Sequence, residues 1–171
     1  LLDLSRLEET PDPDRCPRTD LHSAIVTSFM AHKGEAEDKH LDLVLDDRSV
    51  TGDDCYADME PSDASLVFDN LIENAIMYTD EGSILVTFEP RGHEIAVIVQ
   101  DTGIGIPQTD QSRIFERFYR VDKARSREVG GTGLGLSLVR HAVERSKGRV
   151  SVKSNPGEGS QFTVVFPRAK R

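Results

Sequence analysis

Four short segments of this chain carry residue types whose spacing could do chemistry. Asn70 and Asn74 stand four apart in the run Asn70-Leu71-Ile72-Glu73-Asn74-Ala75-Ile76-Met77-Tyr78-Thr79, so on a helix both amides leave one face. Neutral amides among apolar neighbours offer oxygen to a hard cation and N–H to phosphate without adding negative charge beside a polyanion. Asp101-Thr102-Gly103-Ile104-Gly105-Ile106 follows a strand-like run. A carboxylate at a strand end, followed by glycines that let the backbone bend away, gives a pocket floor with one strong acceptor. Such an acceptor suits an exocyclic amine like that of adenine. Ile114-Phe115-Glu116-Arg117-Phe118-Tyr119-Arg120 sets three aromatics in a charged stretch, a pattern read as a hydrophobic latch before a ligand stacker. Gly130-Gly131-Thr132-Gly133-Leu134-Gly135-Leu136 leads into a helical pattern, and glycines before a helix N-terminus expose N–H groups and a favourable dipole to an anion.

Singly, each segment also fits a plainer role: capping or surface asparagines, an ordinary Asp-Thr-Gly turn, a glycine-rich connection. The glycine run is not a Walker A sequence, since no Gly-Lys-Ser/Thr follows. Nor is it a Rossmann fingerprint, since no strand enters it within a βαβ unit.

The elements that must position these residues are legible from periodicity. Asp20 suits the N-cap of a helix from about Leu21 to Glu37, with apolar residues at 21, 25, 26, 29 and 30. Leu41 to Leu45 alternates as a strand does, and Cys55-Tyr56-Ala57 reads as a short one. Pro61 opens a helix to about Tyr78, where its missing donor costs nothing. Strands follow at Ser83 to Glu89 and Glu94 to Gln100. The stretch from Asp101 to Gly135 is irregular, broken by a short helix near Gln111 to Arg117; so long a loop in a compact domain is functional or disordered. A helix from about Leu134 to Ser146 is expected to stop at Gly148. Arg149 to Ser154 and Gln161 to Phe166 then pair as a hairpin. Intermixed helices and strands imply a two-layer α/β sandwich with a mixed sheet.

At the start, Leu1, Leu4 and Leu7 make a helical stripe that Pro11, Pro13 and Pro17 interrupt. Residues 1–17 therefore read as the end of an upstream helix and its linker, and 18–171 as the domain proper. The alternative is a stray helical turn of the same domain. No apolar run approaches the roughly 20 residues of a membrane span, and a soluble piece is expected. A net charge of −9 argues against nucleic-acid binding, which needs clustered Lys and Arg, but not against a nucleotide. Cys16 and Cys55 lack Cys-x-x-Cys spacing and fit reduced thiols.

In this order and spacing the four segments resemble the asparagine box, the two glycine boxes and the phenylalanine box of bacterial sensor histidine kinases. These lie within the Bergerat ATPase superfamily shared with gyrase and MutL. The resemblance covers about Thr19 to Pro167, and Leu-Asp-Leu-Ser-Arg-Leu-Glu at the start is similar to the end of such kinases' second dimerisation helix. It implies a Bergerat fold: roughly five mixed strands on about three helices, with a flexible ATP lid from about Tyr119 to Gly130. It also implies ATP and Mg²⁺ as ligands. Asn74 would ligate Mg²⁺ and Asn70 would support the phosphates, with Tyr78 lining the pocket. Asp101 would accept from adenine, over a floor shaped by Gly103, Gly105 and Ile106. Tyr119, Arg120 and Arg125 would reach the nucleotide, and Gly131, Thr132, Gly133, Leu134 and Gly135 would close over the phosphates. Asn70, Asn74 and Arg120 would carry the catalysis.

Met77 departs from the family, which usually places Lys or Arg there. Gyrase-like relatives carry a water-activating glutamate where Asn70 stands, and an amide cannot act as that base. Phosphoryl transfer is thus favoured over hydrolysis, with an anti-sigma-type serine kinase or a non-catalytic nucleotide sensor as alternatives. His22, His32, His40, His93 and His141 lack the His-Glu/Asp-x-x-x-Pro context of a phospho-acceptor, and solvated or capping roles are expected for them. The acceptor would lie on the dimerisation domain of the same kinase, with a response regulator downstream. The resemblance further implies a homodimer for the full protein, a monomer for this piece, and a cytoplasmic position beneath an inner-membrane sensor.

Overall fold

Alternation of apolar and polar residues builds the sheet. In β4 (Ser83–Arg91) the buried side chains are Ile84, Val86 and Phe88, and in β7 (Gly159–Pro167) they include Phe162, Val164 and Phe166. Between these strands runs β5 (Glu94–Asp101), whose residues from Ile95 to Val99 are all buried, as a central strand requires. The computed structural model describes residues 16–50, 55–121 and 135–170. In it β2 (Asp42–Asp46), β4, β5, β7 and β6 (Arg149–Asn155) form one five-stranded sheet in the order β2-β4-β5-β7-β6. The β2–β4 pair is parallel and the others antiparallel, with Val86 opposite Val99 and Val97 opposite Val164.

Three helices cover one face. The first, α1 (Leu21–Asp38), starts where sequence placed it: the Asp20 carboxylate accepts from the N–H groups of His22 and Ser23 at 3.0 and 3.3 Å. Its buried stripe is Leu21, Ile25, Ser28, His32 and Ala36. Next comes α2 (Pro61–Met77), opening on proline and burying Ala64, Val67, Phe68, Leu71, Ile72, Ala75 and Ile76 at helical spacing. A one-turn helix, α3 (Gln108–Gln111), precedes α4 (Gly135–Arg145), which buries Val139, Ala142 and Val143. The expected two-layer sandwich is thus present, with a mixed five-stranded sheet and three substantial helices.

Several details differ from expectation. A short strand β1 (Arg18–Asp20) pairs antiparallel with β3 (Tyr56–Asp58), forming a separate ribbon; three residues carry no readable period. The short helix sits earlier than Gln111 to Arg117, where the backbone instead makes separate turns such as Arg113 N–H to Asp110 carbonyl at 2.9 Å. Gly148 does not supply the left-handed residue that ends α4. Lys147 does, with φ 61°, while Gly148 N–H closes on the Val143 carbonyl at 2.9 Å. Glycine is needed at 148 for another reason: a Cβ would stand 2.4 Å from the Val165 carbonyl oxygen of β7. The expected upstream helix, the lid beyond Val121, Arg125 and Gly130 to Leu134 lie outside the described residues.

Candidate nucleotide-binding site

The C-terminal ends of α2 and β5 meet the start of α4 around one cavity. Asn74 and Tyr78 enter it from α2, Asp101 from the end of β5, and Gly105 and Ile106 from the loop that follows. Tyr119 and Arg120 enter from beyond α3. Seven of the residues singled out by sequence therefore converge. Ile104, Ile114, Val121, Leu136 and Ser160 complete the lining, and the four apolar side chains among them suit a flat heteroaromatic ring.

Asp101 is the best-defined group. It is 5% exposed, and its Oδ1 accepts from Gly103 N–H at 2.9 Å and Ser160 N–H at 3.1 Å. Both bonds fall on Oδ1, and the residue lines the cavity. Burial pushes the carboxyl above its ordinary range, and the two N–H bonds only partly oppose this.

The glycines after Asp101 serve close approach more than flexibility. A Cβ on Gly103 would stand 2.2 Å from the Tyr78 carbonyl oxygen, so the loop lies directly on the end of α2. Gly105 has φ 74°, and its Cβ would stand 2.1 Å from the Asn155 carbonyl oxygen. Ile104 links the loop to both neighbours: its N–H donates to the Tyr78 carbonyl at 3.0 Å, and its carbonyl accepts from Gly157 N–H at 2.7 Å.

The asparagines share a helix face but not an environment. Asn74 lines the cavity. Asn70, one turn earlier, donates through Nδ2 to the Leu66 carbonyl at 2.7 Å, and its Oδ1 would lie 2.7 Å from a Cβ on Gly135. It therefore faces the N-terminus of α4, where anions are favoured. The aromatic run divides. Phe115 packs edge-on against Phe162, at 6.3 Å between centroids, as a latch does. Phe118 is 69% exposed at φ 64°. Tyr119 donates its hydroxyl to the Asp110 carboxylate, and the Arg113 guanidinium lies 4.5 Å from its ring centroid.

Sequence reasoning missed the serines. Ser154 Oγ bonds Ser160 Oγ at 2.8 Å and accepts from Ile106 N–H at 2.8 Å, joining the hairpin to the cavity floor. It also missed Thr79, fully buried, whose hydroxyl oxygen has no hydrogen-bond partner among the described residues and lies 2.8 Å from where a Gly103 Cβ would stand.

Residues 59–170, a span holding α2, the Asp101 loop and Ser160, match the family of histidine kinase-, DNA gyrase B- and HSP90-like ATPases. This chain belongs to that ATPase family. It is 39% identical over 171 residues to the sensor-like histidine kinase SenX3 of Mycolicibacterium smegmatis, a match covering 98% of this chain and 43% of that protein. It is 40% identical to the sensor histidine kinase RppB of a Synechocystis strain, covering 98% of this chain and 36% of the other. The chain thus spans less than half the length of these relatives. Among solved structures, the catalytic domain of the histidine kinase ThkA superposes with a TM-score of 0.75 at 24% identity, covering 90% of this chain and 98% of that one. Full-length ShkA in complex with AMPPNP gives 0.76 at 24% identity, over 91% of this chain and 31% of that one.

Within this ATPase domain Met77 stands on the last turn of α2, half-buried. At the same turn Lys39 Nζ donates to the Ile76 carbonyl at 2.6 Å and so caps the negative end of the helix. Arg125, Gly131, Thr132, Gly133 and Leu134 lie outside the described residues, as does any contact they make with the cavity. Among the described residues no helix is long and apolar enough to cross a membrane.

Proposed function

We propose that this domain binds ATP with Mg²⁺ and donates the γ-phosphoryl group to a histidine on a separate dimerisation domain of the same sensor kinase. The observation that carries it is Asp101, a buried carboxylate that lines the cavity with Oδ1 held by two backbone N–H groups. Adenine would offer its amine to this carboxylate between Ile106, Ile114 and Leu136. The phosphates would extend past Asn74 and Arg120 toward Asn70 and the start of α4, where backbone N–H groups point outward.

A magnesium ion fits this donor set. Asn74 offers a neutral amide oxygen, and Mg²⁺ keeps most of its shell as water and phosphate oxygen instead of a protein cage. When bound it would neutralise charge on the triphosphate. Kinase chemistry is favoured over hydrolysis because Asn70 is an amide, bonded back to its own helix, with no basicity to activate water. Phosphoryl transfer then rests on positioning a supplied nucleophile in line. The chain's length against its relatives and their sensor-kinase names favour a cytoplasmic module whose product passes to a response regulator.

Calorimetry with ADP and GDP, with and without Mg²⁺, tests the reading. ADP should bind more tightly, and more tightly still with the metal. On guanine, Asp101 would meet a carbonyl oxygen, and an unpaired buried polar group costs about 1–3 kcal/mol, roughly 5- to 150-fold. Equal affinities would end the adenine assignment.

A further inference from the structure

Asp69-Asn70 and Glu73-Asn74 form a doublet repeated at four residues. On α2, successive residues are turned by about 100°, so the acids and the amides occupy adjacent faces of one rigid helix. The amide face looks toward the nucleotide cavity and the start of α4. The acid face docks on α1, and the residue it meets there is His32, 8% exposed.

The ring of His32 is held at both nitrogens. Nδ1 lies 2.8 Å from the Ser28 carbonyl oxygen, and Nε2 lies 3.1 Å from Glu73 Oε1. Asp69 Oδ1 stands 3.9 Å from Nδ1 and accepts from Ser28 Oγ at 2.5 Å. A carbonyl and a carboxylate are both acceptors only. A neutral imidazole carries one N–H, so it would turn a lone pair on one of these oxygens. Only the imidazolium satisfies both contacts. Burial by itself would lower the ring's proton affinity, but the Ser28 and Glu73 bonds, with the charges of Glu73 and Asp69, outweigh it and raise it. Among the described residues, Asp69 and Glu73 are the charged groups that act on the ring. Expectation had placed every histidine at solvent or at a cap; this one is neither.

We propose that His32 is a proton-operated positioning residue: charged, it clamps the acid face of α2 to α1 and so fixes where Asn70 and Asn74 stand; on releasing its proton to solvent it loosens that helix and weakens nucleotide binding. Glu73 is about half-exposed, so the pair is of modest strength and open to proton exchange. Because the folded state holds this proton more tightly than the unfolded chain, the clamp's stabilisation is fully present below the ordinary histidine range near 6.5. It is lost as pH rises through the raised folded-state value. Loss of the clamp should lower nucleotide affinity by about fivefold, the low end of site-to-site couplings. The magnitude rests on the nucleotide reading above, whereas the protonation does not.

Two measurements decide it. In the ligand-free domain, the His32 ring protons followed by NMR should titrate above pH ~6.5; titration at or below that value overturns the clamp. ADP affinity, measured by calorimetry from pH 6 to 9, should fall in the native domain relative to His32→Gln, whose profile keeps only the titration of ADP's own terminal phosphate. Glu73→Gln, which keeps the shape and removes the charge, should also bring the profile toward that of His32→Gln and lower the ring's titration midpoint. Identical pH profiles in the native domain and both variants overturn the coupling while leaving nucleotide binding in place. No ADP binding at any pH overturns the nucleotide reading and the coupling with it.

Discussion

Asp101 pays for its place in the cavity floor with a raised proton affinity, and this gives it a distinct signature. A carboxyl whose folded-state value lies above its unfolded one costs stability at neutral pH, a cost relieved as pH falls through the folded value. Asp101→Asn keeps an oxygen for Gly103 and Ser160 and removes the buried charge. It should leave the melting temperature unchanged or higher, and weaken ADP about 5- to 150-fold; a variant that melts early and binds normally would contradict both halves. By the same logic ADP binding to the native domain should fail on acidification at a pH above the ordinary aspartate range near 4. Met77→Lys should leave affinity unchanged or raise it, since it puts a cation on the helix turn that carries Asn74 and Tyr78. Abolished binding in a folded Met77→Lys domain would mean that this turn does not face phosphate. Residues like Asn74 and Asp101 were legible because their signal is local, one helix face or one strand end. Ser154 and Ser160 were not, because their roles arise only when β6 and β7 close on a loop some fifty residues earlier, and Thr79 was not, because it meets Gly103 only when that loop lies on the end of α2.

Helix ends show the same division between local signal and tertiary demand. The Asp20 cap and the Pro61 start could be read from sequence because each acts on its own first turn. The stops were placed to within a residue, but not the geometry that makes them. Both α1 and α4 end with a side-chain-bearing residue in the left-handed region, His40 at φ 60° and Lys147 at φ 61°. Each is followed by the closing bond of a Schellman motif, Leu41 N–H to Ala36 carbonyl and Gly148 N–H to Val143 carbonyl, both 2.9 Å. Left-handed geometry costs a non-glycine residue about 1–2 kcal/mol, against 0.5–1 for glycine's extra freedom when unfolded. His40→Gly should therefore raise unfolding stability by about 0.5–1 kcal/mol, and denaturant melts without that gain would show the cap to be unstrained. Elsewhere an element is fixed by a distant partner. Arg145 at the end of α4 gives Asp63, in the first turn of α2, two bonds of 2.7 and 2.6 Å from Nη2. With Asp63 side chain 12% and Arg145 24% exposed, removing one partner by Arg145→Met should cost about 3–5 kcal/mol, and a loss under 1 kcal/mol by denaturant melts would refute the buried-pair reading.

At the scale of the molecule, α2 and α4 run antiparallel, with Asp63 against Arg145 at one end and Asn70 against Gly135 at the other. The candidate nucleotide cavity lies at the second end, while β1, the first described strand, pairs with β3 just before the start of α2. The groups proposed to handle ATP and the first described strand are thus at different ends of the same helix. The chain covers 43% or less of SenX3 and RppB, and the role proposed for its site groups is to hold a nucleotide for a nucleophile supplied from elsewhere. None of its five histidines lies in the residue context of a phospho-acceptor, and His32 is buried between helices with both nitrogens engaged. The domain by itself should therefore take no acid-labile label from γ-labelled ATP. Mixed with a separate dimerisation domain that carries the acceptor histidine, it should transfer label, but slowly. The covalent link that supplies an effective concentration near the millimolar range is cut, and in-line placement of the attacking nitrogen must be found by collision. Asp101→Asn should slow that transfer at limiting ATP, and saturating ATP should restore much of it if the residue serves binding. Strong label on the isolated domain would instead make His22, His40, His93 or His141 an acceptor and remove the need for a second domain.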